Sequence, residues 1–452
     1  MNIIVVGCGK IGSALVKSLV SEGHDVVAVD SEQSAITDIT NIFDVMTVCG
    51  DAIDRDTLSE AGVDKARLFI AVTDSDEVNM LSCLIARRMG ARHTIARVRK
   101  PKYSAESLGY LRSQLDLSLT LNPEQLAAHD IYNILRFPSA VNIEKFSAGS
   151  LEMVELHLEE GSPFDSLSLS EIRSKFSAKF LVCAVRRGDG AYIPDGNFVL
   201  KSGDRVGLVA TPHEFTRLLK QMGVHRRPIK SVMVLGAGRI SYYLTRLLTE
   251  AGISVKVIEK DERVAKSFAS GLHKAVVICG DGAGQELLRE EGIRSVDAFV
   301  ALTGTDEQNI LISTFAQSEN RQKVITKVNR SEFLAIAERL GLDSIVSSKT
   351  AVCDVVVSYA RALQNSMGSK VDTVYQLMDE KVEALEFEVR PDFKYINIPL
   401  KELETKKNVL IAGIIRKRET VIPSGNDVIL PSDKVIVFSA GHRLGDLSDI
   451  IK

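Results

Sequence analysis

Tryptophan is missing from this sequence, other aromatic residues are few, and neither sign of charge dominates. Aromatic residues make up 6% of the 452 residues, and 56 lysines and arginines face 59 acidic residues. Proteins that bind nucleic acid usually carry a basic excess for the phosphates and aromatic side chains that stack on the bases. The composition therefore predicts no nucleic-acid partner.

Closely spaced cysteines are missing as well. No two of the six cysteines form a Cys-x-x-Cys pair, and most lie in apolar runs that are typical of buried strands. Such residues behave as small apolar side chains and stay reduced in a reducing compartment. No group of Cys, His and carboxylate residues has the spacing of metal ligands, so we predict no metal site.

Long apolar runs do not occur either. No stretch approaches the ~20 apolar residues that a helix needs to span a bilayer. The first residues lack the basic leader and cleavage site of a signal peptide, and residues 3–6 are typical of a first β-strand instead. We therefore expect a cytoplasmic protein.

The clearest positive feature is an internal duplication. The glycine-rich run that begins at Gly7 recurs at Gly236, 229 positions later, and Asp30 recurs as Glu259 at the same distance. A near-constant spacing over many positions indicates a tandem repeat. Further pairs at 229 or 230 positions are Gly50 and Gly280, Asp51 and Asp281, Thr73 and Thr303, Asn79 and Asn309, Arg97 and Lys327, and Asp204 and Asp433.

Each half divides into two lobes of different character. The first lobe alternates short apolar strands with amphipathic helices, which predicts a parallel sheet with crossover helices. The second lobe has the strand and turn signals of a small α+β unit. In the first half, strands are expected at 3–6, 25–29, 44–49, 68–72 and 94–98 in the first lobe, and at 151–158, 180–186 and 205–210 in the second.

The predicted fold class is therefore α/β, with two tandem Rossmann-like, doubly wound parallel-sheet domains, each followed by a small α+β C-lobe. We expect N-lobes at 1–123 and 228–346 and C-lobes at 140–224 and 370–452. Residues 124–135 and 350–363 have helical patterns and are expected to pair subunits or to hold the lobes together. Residues 225–230 are basic and contain a proline, which favours a linker between the halves, with a phosphate or lipid contact as the alternative.

The first glycine-rich run has the Gly-x-Gly-x-x-Gly fingerprint in its proper context, after a strand and at the start of a helix. Gly7 allows the tight turn, Gly9 lets the backbone approach a pyrophosphate, and Gly12 lets the helix pack closely on the strand. The N-terminus of the helix offers unpaired N–H groups and a positive dipole end to the phosphates. The run therefore predicts a dinucleotide site.

An acidic residue completes this motif. Asp30 ends the second strand, where a carboxylate accepts the ribose hydroxyls and repels a 2′-phosphate, so NAD(H) is favoured over NADP(H). The alternative is a solvated acid at the end of a strand. The second half keeps the acid as Glu259 but has Ser241 where the third glycine would be. We expect a looser nucleotide site there, or else a degenerate copy kept as a scaffold.

Other polar residues follow neighbouring strands at the edge of the sheet where ligands of α/β folds bind. Their positions suggest contacts with the ribose, the pyrophosphate or the phosphates. The predicted cofactor-binding residues are Gly7, Cys8, Gly9, Lys10, Ile11, Gly12, Asp30, Asp51, Thr73, Asp74 and Arg97 in the first half, and Gly236, Ala237, Gly238, Arg239, Ile240, Glu259, Asp281 and Thr303 in the second.

An acid–base group that would complete a dehydrogenase cannot be identified. The eight histidines do not cluster, and none recurs at its equivalent position in the other half. Duplicated nucleotide units without such a group are more typical of a ligand sensor than of an enzyme. An NAD-dependent oxidoreductase with an unrecognised substrate site is the main alternative, and a purely structural assembly module is the second.

The motifs together resemble the RCK (KTN) domain family. The resemblance rests on the runs at 7–12, 50–52, 72–79 and 96–98, on Asp30, and on the C-lobes with their Pro-x-Gly turns. Two N-lobe and C-lobe pairs in one chain are similar to the regulatory subunits of Trk-type potassium uptake systems.

This resemblance implies a peripheral protein on the inner face of the cell membrane, which senses nucleotides and gates a potassium-translocating subunit of the TrkH or TrkG type. It also implies a homo-oligomer in the form of a tetrameric ring. NAD(H) is the implied ligand, with ATP or ADP at the same or the second site.

Overall fold

The computed structural model describes residues 1–100, 105–136, 140–147, 150–222, 229–319, 323–365, 371–378, 381–417, 419–442 and 444–452. Within these residues the chain forms two six-stranded and two five-stranded sheets. The six-stranded sheets are parallel and carry helices, which confirms the predicted class of two tandem Rossmann-like domains with smaller C-lobes. The linker predicted at 225–230 lies largely outside the described residues.

The first N-lobe is a parallel sheet covered by helices. Its elements are β1 (Asn2–Val6), α1 (Lys10–Ser21), β2 (Asp25–Asp30), α2 (Gln33–Ile42), β3 (Met46–Cys49), α3 (Arg55–Glu60), β4 (Leu68–Ala71), α4 (Asp76–Met89), β5 (His93–Arg97), α5 (Ala105–Gln114) and β6 (Leu119–Leu121), and the helix α6 (Pro123–Arg136) follows. The strand order β3-β2-β1-β4-β5-β6 reverses between β1 and β4. In such sheets ligands bind at this reversal, beyond the carboxyl ends of the strands.

The first C-lobe is an antiparallel sheet with two helices. It contains β7 (Ala140–Phe146), β8 (Leu151–His157), α7 (Leu169–Lys175), β9 (Leu181–Arg187), β10 (Gly190–Tyr192), β11 (Arg205–Ala210) and α8 (Pro212–Gln221), with strand order β10-β9-β11-β8-β7. Strand β7 was not expected from the sequence. Its pairing with β8 shifts register between Ala140 and Asn142. Such a bulge disturbs the two-residue alternation of apolar and polar side chains from which a strand is predicted.

The second half repeats this plan. Its N-lobe contains β12 (Ser231–Leu235), α9 (Arg239–Glu250), β13 (Ser254–Glu259), α10 (Glu262–Gly271), β14 (Val276–Cys279), α11 (Gln285–Glu290), β15 (Ala298–Ala301), α12 (Asp306–Glu319), β16 (Val324–Lys327), α13 (Ser331–Arg339) and β17 (Ile345–Val346), followed by the helix α14 (Ser348–Asn365). Its C-lobe contains β18 (Val371–Leu377), β19 (Val382–Glu388), β20 (Val409–Arg416), β21 (Glu419–Val421) and β22 (Lys434–Ser439). The order β14-β13-β12-β15-β16-β17 matches that of the first N-lobe.

The helices α6 and α14 cross between the halves. Apolar residues of α6, including Ala127 and Ile131, share a core with Leu244 of α9 in the second N-lobe. In return, Val352 and Val356 of α14 pack with the first N-lobe around α1. Of the two roles expected for these helices, the structure shows that they hold the lobes of one chain together.

The two C-lobe sheets also pack against each other. Phe146 and Met153 of the first sheet share a core with Ala384 and Phe438 of the second, and the rings of Phe146 and Phe438 meet edge to face at 5.9 Å. The halves are therefore joined at both the N-lobes and the C-lobes. A movement of one half would displace residues that pack against the other half.

Candidate functional site

The glycine-rich turns have the same geometry in both halves, and we call the crevices above them site one and site two. Gly7 and Gly236 have φ angles of 92° and 95°, which L-residues with side chains rarely adopt. A Cβ on Gly7 would lie 2.7 Å from the amide nitrogen of Thr73, and one on Gly236 would lie 2.9 Å from the carbonyl oxygen of Leu302. Both turns therefore require glycine.

The third position of the motif separates the two sites. A Cβ on Gly12 would lie 1.8 Å from the carbonyl oxygen of Gly7, so α1 and the turn are in close contact. Ser241 occupies this position in the second half, and it is fully buried with a hydroxyl group that has no hydrogen-bond partner. The second turn thus leaves room for a side chain that the first turn excludes.

Both glycine-rich helices begin without a side-chain cap. Gly9 and Gly238 are the N-cap residues of α1 and α9, and a Cβ on either would meet nothing within 4 Å. By contrast, the hydroxyl group of Ser75 caps α4. The first N–H groups of a helix have no partner inside it. An approaching anion therefore finds free donors, a positive dipole end and open space at α1 and α9.

The two acids join the second strands to the glycine-rich turns. The carboxylate of Asp30 accepts hydrogen bonds from the amides of Cys8 at 2.6 Å and Glu32 at 2.9 Å. Glu259 accepts in the same way from Ala237 at 2.8 Å and Asp261 at 3.0 Å. Each carboxylate oxygen keeps a free lone pair, so both acids can still accept a ribose hydroxyl.

The thiol of Cys8 lies near the carboxylate of Asp30. Burial, aided by the negative charge of Asp30, raises the pKa of the Cys8 thiol to about 12. Its sulfur contacts the carbonyl oxygen of Val29 at 3.6 Å. Cys8 is therefore a neutral packing residue and has no nucleophilic thiolate at neutral pH.

A buried asparagine supports the loop after the fourth strand in each half. The side-chain oxygen of Asn79 accepts from the amide and hydroxyl of Thr73 at 2.8 and 2.7 Å, and its amide donates to the carbonyl of Arg97 at 3.0 Å. Asn309 makes the same contacts with Thr303. The sequence prediction did not include these asparagines among the site residues, although their recurrence six positions after a threonine was the available signal.

Asp76 and Asp306 support the next loop and were also not predicted. Both are buried, and Asp76 accepts hydrogen bonds from the amides of Arg99 at 3.0 Å and Lys100 at 2.9 Å. Asp306 accepts from the amides of Asn329 and Arg330. These carboxylates fix the chain that follows the fifth strand of each N-lobe.

The cations at the ends of β5 and β16 lie under the threonine loops. Arg97 donates to the carbonyl of Thr73, and Lys327 donates to that of Thr303. Burial lowers the pKa of Arg97 to about 10 and also lowers the pKa of Lys327. The Nε of Arg97 is buried without a partner. Both groups place a positive charge at the threonine loops.

The remaining predicted residues shape the rims. Asp51 and Asp281 each accept a hydrogen bond from the amide two residues ahead, at 3.0 and 2.9 Å, which tightens the loops after β3 and β14. Asp74 is exposed, and its carbonyl accepts from the side chain of Arg99. Lys10 and Arg239 extend from the first residues of α1 and α9.

Neither a metal site nor a membrane span is found in the part of the chain that the structure describes. No three His, Cys, Asp or Glu side chains there are grouped so that they could hold a metal ion. No helix in those residues is long and apolar enough to cross a membrane.

Two protein-family models match this chain, and each matches it twice. The TrkA-N domain model matches residues 3–112 and 232–348, and the TrkA-C domain model matches residues 153–223 and 384–452. The alternation of the two models follows the order of N-lobes and C-lobes in the structure.

Relatives that match this chain over nearly their whole length are named TrkA, like the two domain models. The Trk system potassium uptake protein TrkA homolog of Archaeoglobus fulgidus is 29% identical over 453 residues and is covered, like this chain, over 100% of its length. The Trk system potassium uptake protein TrkA of Vibrio alginolyticus is 28% identical, with 98% of this chain and 96% of the relative covered.

Solved structures share the fold. The GsuK channel has a TM-score of 0.64 at 19% identity, and the match covers 97% of this chain and 77% of that one. A structure of the GsuK channel bound to NAD has a TM-score of 0.63, with the same coverage.

The TrkA-N model alone matches half of the residues of this chain. This chain therefore belongs to the TrkA family of proteins with TrkA-N and TrkA-C domains.

Proposed function

We propose that this chain is a nucleotide-sensing regulatory subunit of a potassium uptake system. The main support is the duplicated crevice. A glycine turn, an uncapped helix and a hydrogen-bonded acid recur with the same geometry at Gly7 to Asp30 and at Gly236 to Glu259. The relatives named potassium uptake proteins support the assignment to potassium transport.

The proposed ligands are NAD(H), with ATP or ADP at the same or the second site. The open space at Gly9 and Gly238 fits a pyrophosphate, and the free lone pairs of Asp30 and Glu259 fit the adenosine ribose. Structures of GsuK bound to NAD and to ADP support this choice of ligands by their fold. The other predicted site residues would shape the rims and supply positive charge.

The proposed partner is a membrane-embedded potassium-translocating subunit of the TrkH or TrkG type. The chain would lie in the cytoplasm, peripheral to the inner face of the membrane, and would assemble as a tetrameric ring. In this proposal the N-lobes span residues 1–123 and 228–346, and the C-lobes span residues 140–224 and 370–452. The chain itself would catalyse no reaction.

The proposed mechanism is a shift between two states of the ring. A nucleotide changes that balance only if it binds one state more tightly than the other. The crossing of α6 and α14 would supply such a difference, because each glycine-rich helix packs against a helix from the other half. Movement of α1 or α9 on binding would therefore change the arrangement of the lobes.

The test is potassium flux through the reconstituted complex with and without NADH or ATP. We expect the combined Asp30→Ala and Glu259→Ala substitutions to abolish the nucleotide dependence of the flux. The matched control combines Asp38→Ala and Glu286→Ala, which remove exposed carboxylates from α2 and α11 and should leave the response intact. A response that survives the loss of both acids would refute the site, and steady consumption of NADH would favour the oxidoreductase instead.

A further inference from the structure

The helix that begins at site two makes a polar contact with the loop that supports site one. Helix α9 starts one residue after Gly238, and its Tyr243 lies one turn further along. The partly buried phenol of Tyr243 reaches the end of β6, where α6 of the first half begins. The phosphate-binding end of site two is therefore close to structural elements of site one.

Tyr243 is held there by two hydrogen bonds. Its oxygen accepts from the side-chain amide of Asn122 at 2.9 Å and donates to the carbonyl of Arg99 at 3.3 Å. Asn122 is itself oriented, because its side-chain oxygen accepts from the amide of Gln125 at 3.0 Å. Burial raises the pKa of the Tyr243 hydroxyl, which remains a neutral donor.

Arg99 belongs to the framework of site one. Its amide donates to the buried carboxylate of Asp76, and its guanidinium donates to the carbonyl of Asp74. It also follows Arg97 by two residues, and the carbonyl of Arg97 accepts from Asn79, which holds Thr73. A displacement of the Arg99 carbonyl would therefore shift the loop of Thr73 and Asp74.

In the opposite direction, the polar contact lies at the other end of the glycine-rich helix, where Arg361 of α14 donates to the carboxylate of Glu22 after α1. Ala14 stands on α1 at the position that corresponds to Tyr243, 229 residues earlier, and it has no hydroxyl group. Ser347 corresponds to Asn122 by its place after β17, and its hydroxyl group is buried without a partner. Position 14 therefore cannot make the contact that Tyr243 makes, although the two halves share one fold.

We propose that Tyr243 is a positioning residue that couples site two to site one through the Arg99 carbonyl. This inference rests on the proposed function, because it requires nucleotides at both sites. A ligand that fixes the N-terminus of α9 also fixes Tyr243 and hence the Arg99 loop, so occupancy of site two tightens binding at site one. Linkage requires the same factor in the reverse direction.

The experiment measures ADP and NADH affinities by calorimetry on the full chain. Glu259→Ala weakens site two, so the affinity of site one can be compared with site two filled in the wild type and with site two empty in the variant, at nucleotide concentrations that fill site one alone. We expect filling site two to tighten site one by about fivefold or more. With Tyr243→Phe, which removes only the hydroxyl group, this factor should fall by at least half.

Tyr242→Phe is the matched control. Tyr242 is the adjacent residue on α9, and its ring packs edge to face against Phe268 at 6.2 Å. This variant should keep the wild-type coupling factor. Asp30→Ala, which weakens site one, should yield for site two the same coupling factor that Glu259→Ala yields for site one, and Tyr243→Phe should lower both factors equally.

The outcomes separate the two proposals. Nucleotide binding at both sites with the wild-type coupling factor retained in Tyr243→Phe would overturn the role of Tyr243 and leave the proposed function standing. Two sites that bind independently in the wild type would also overturn the role of Tyr243 and leave the proposed function standing. A chain that binds neither ADP nor NADH would refute the proposed function and this inference together. A melting temperature lowered equally by Tyr243→Phe and Tyr242→Phe, with coupling lost only in Tyr243→Phe, would support the positioning role.

Discussion

Site one and site two have the same hydrogen-bonded frame but differ in the packing beneath it. Both keep the positive φ of the first glycine, the acid that accepts from the turn, and the asparagine under the threonine loop. The residues under the frame are less alike: Gly12, Ala14, Val16, His24 and Arg97 in the first half correspond to Ser241, Tyr243, Thr245, Ile253 and Lys327 in the second.

This comparison shows which features the fold requires and which it tolerates. The hydroxyl groups of Ser241 and Thr245 are buried without partners on the inner face of α9, whereas Gly12 and Val16 present no polar group there. An unsatisfied buried hydroxyl costs about 1–3 kcal/mol. We therefore expect the second N-lobe to be the less stable one and site two to be the looser site.

The largest expected effect comes from giving site one the residue of site two. Gly12→Ser would place its Cβ 1.8 Å from the carbonyl oxygen of Gly7, so the turn or α1 must move. We expect a loss of about 3–5 kcal/mol in the free energy of unfolding and loss of nucleotide binding at site one. Urea denaturation and calorimetry measure the two effects.

A second glycine variant separates packing from binding. Gly9 has an extended backbone conformation, and a Cβ there meets nothing within 4 Å. Gly9→Ala should therefore keep the stability of the wild type while weakening nucleotide binding, because the methyl group enters the space of the pyrophosphate. Equal stability losses in Gly9→Ala and Gly12→Ser would contradict the close contact inferred for Gly12 alone.

The next effect tests whether the shared frame matters equally in both halves. Asn79 and Asn309 are fully buried, and each bonds to the threonine loop and to the end of the fifth strand. Replacing either with alanine leaves buried partners unsatisfied, so we expect each variant to lose about 2–3 kcal/mol in urea denaturation. Asn41→Ala, at an exposed position on α2, should change stability by less than about 0.5 kcal/mol.

A loss of stability between about pH 7.5 and 5.5 should come from His24 in the first half. His24 is buried with both ring nitrogens unpartnered, and burial lowers its pKa below the ordinary value of 6.5. The N-terminal amine and Arg361 lower this pKa further, while Glu22 and Asp25 raise it. The folded state therefore holds the neutral ring, and the unfolded state binds the proton more readily.

The stability that depends on His24 is complete above pH 6.5 and is lost as the pH falls through that value. Ile253 occupies the equivalent position in the second half. His24→Ile should flatten the decline in the urea midpoint between about pH 7.5 and 5.5. An unchanged decline in this variant would show that other groups cause the acid sensitivity.

The smallest effect makes the second half more like the first. Thr245→Val removes a buried, unpartnered hydroxyl group and installs the residue that stands at position 16. We expect stability to rise by about 1 kcal/mol. Thr249→Val on the same helix should not stabilise, since that hydroxyl group donates to the carbonyl of Thr245 at 2.8 Å.

The sequence predicted those parts of the fold that depend on local patterns. The glycine turn, the helix after it and the acid at the end of β2 lie close together in the chain, and each leaves a recognisable spacing. Strands β6 and β17 were missed because three and two residues are too short to show a period of two. Strand β18 was missed because a register shift between Val371 and Thr373 interrupts its alternation.

Features that depend on tertiary contacts could not be predicted. The apolar stripe of α6 indicates a buried face, but it does not specify that α9 of the other half covers it. The position of Arg97 beneath the Thr73 loop, and the four hydrogen bonds of Asn79, likewise appear only once the strands are assembled. A cation at the end of a strand has the same sequence pattern whether it faces solvent or the loop.

Calorimetric titration of the wild-type chain, Asp30→Ala and Glu259→Ala with NADH and with ADP shows whether site one and site two bind nucleotides. We expect two binding events per chain, with Asp30→Ala weakening chiefly the first site and Glu259→Ala chiefly the second, and with a smaller loss at the other site through coupling. Because each acid supplies a charge-assisted hydrogen bond, each loss should be about 10–100-fold in affinity. Binding that is unchanged in both variants, or no binding to the wild type, would show that the two crevices are not nucleotide sites.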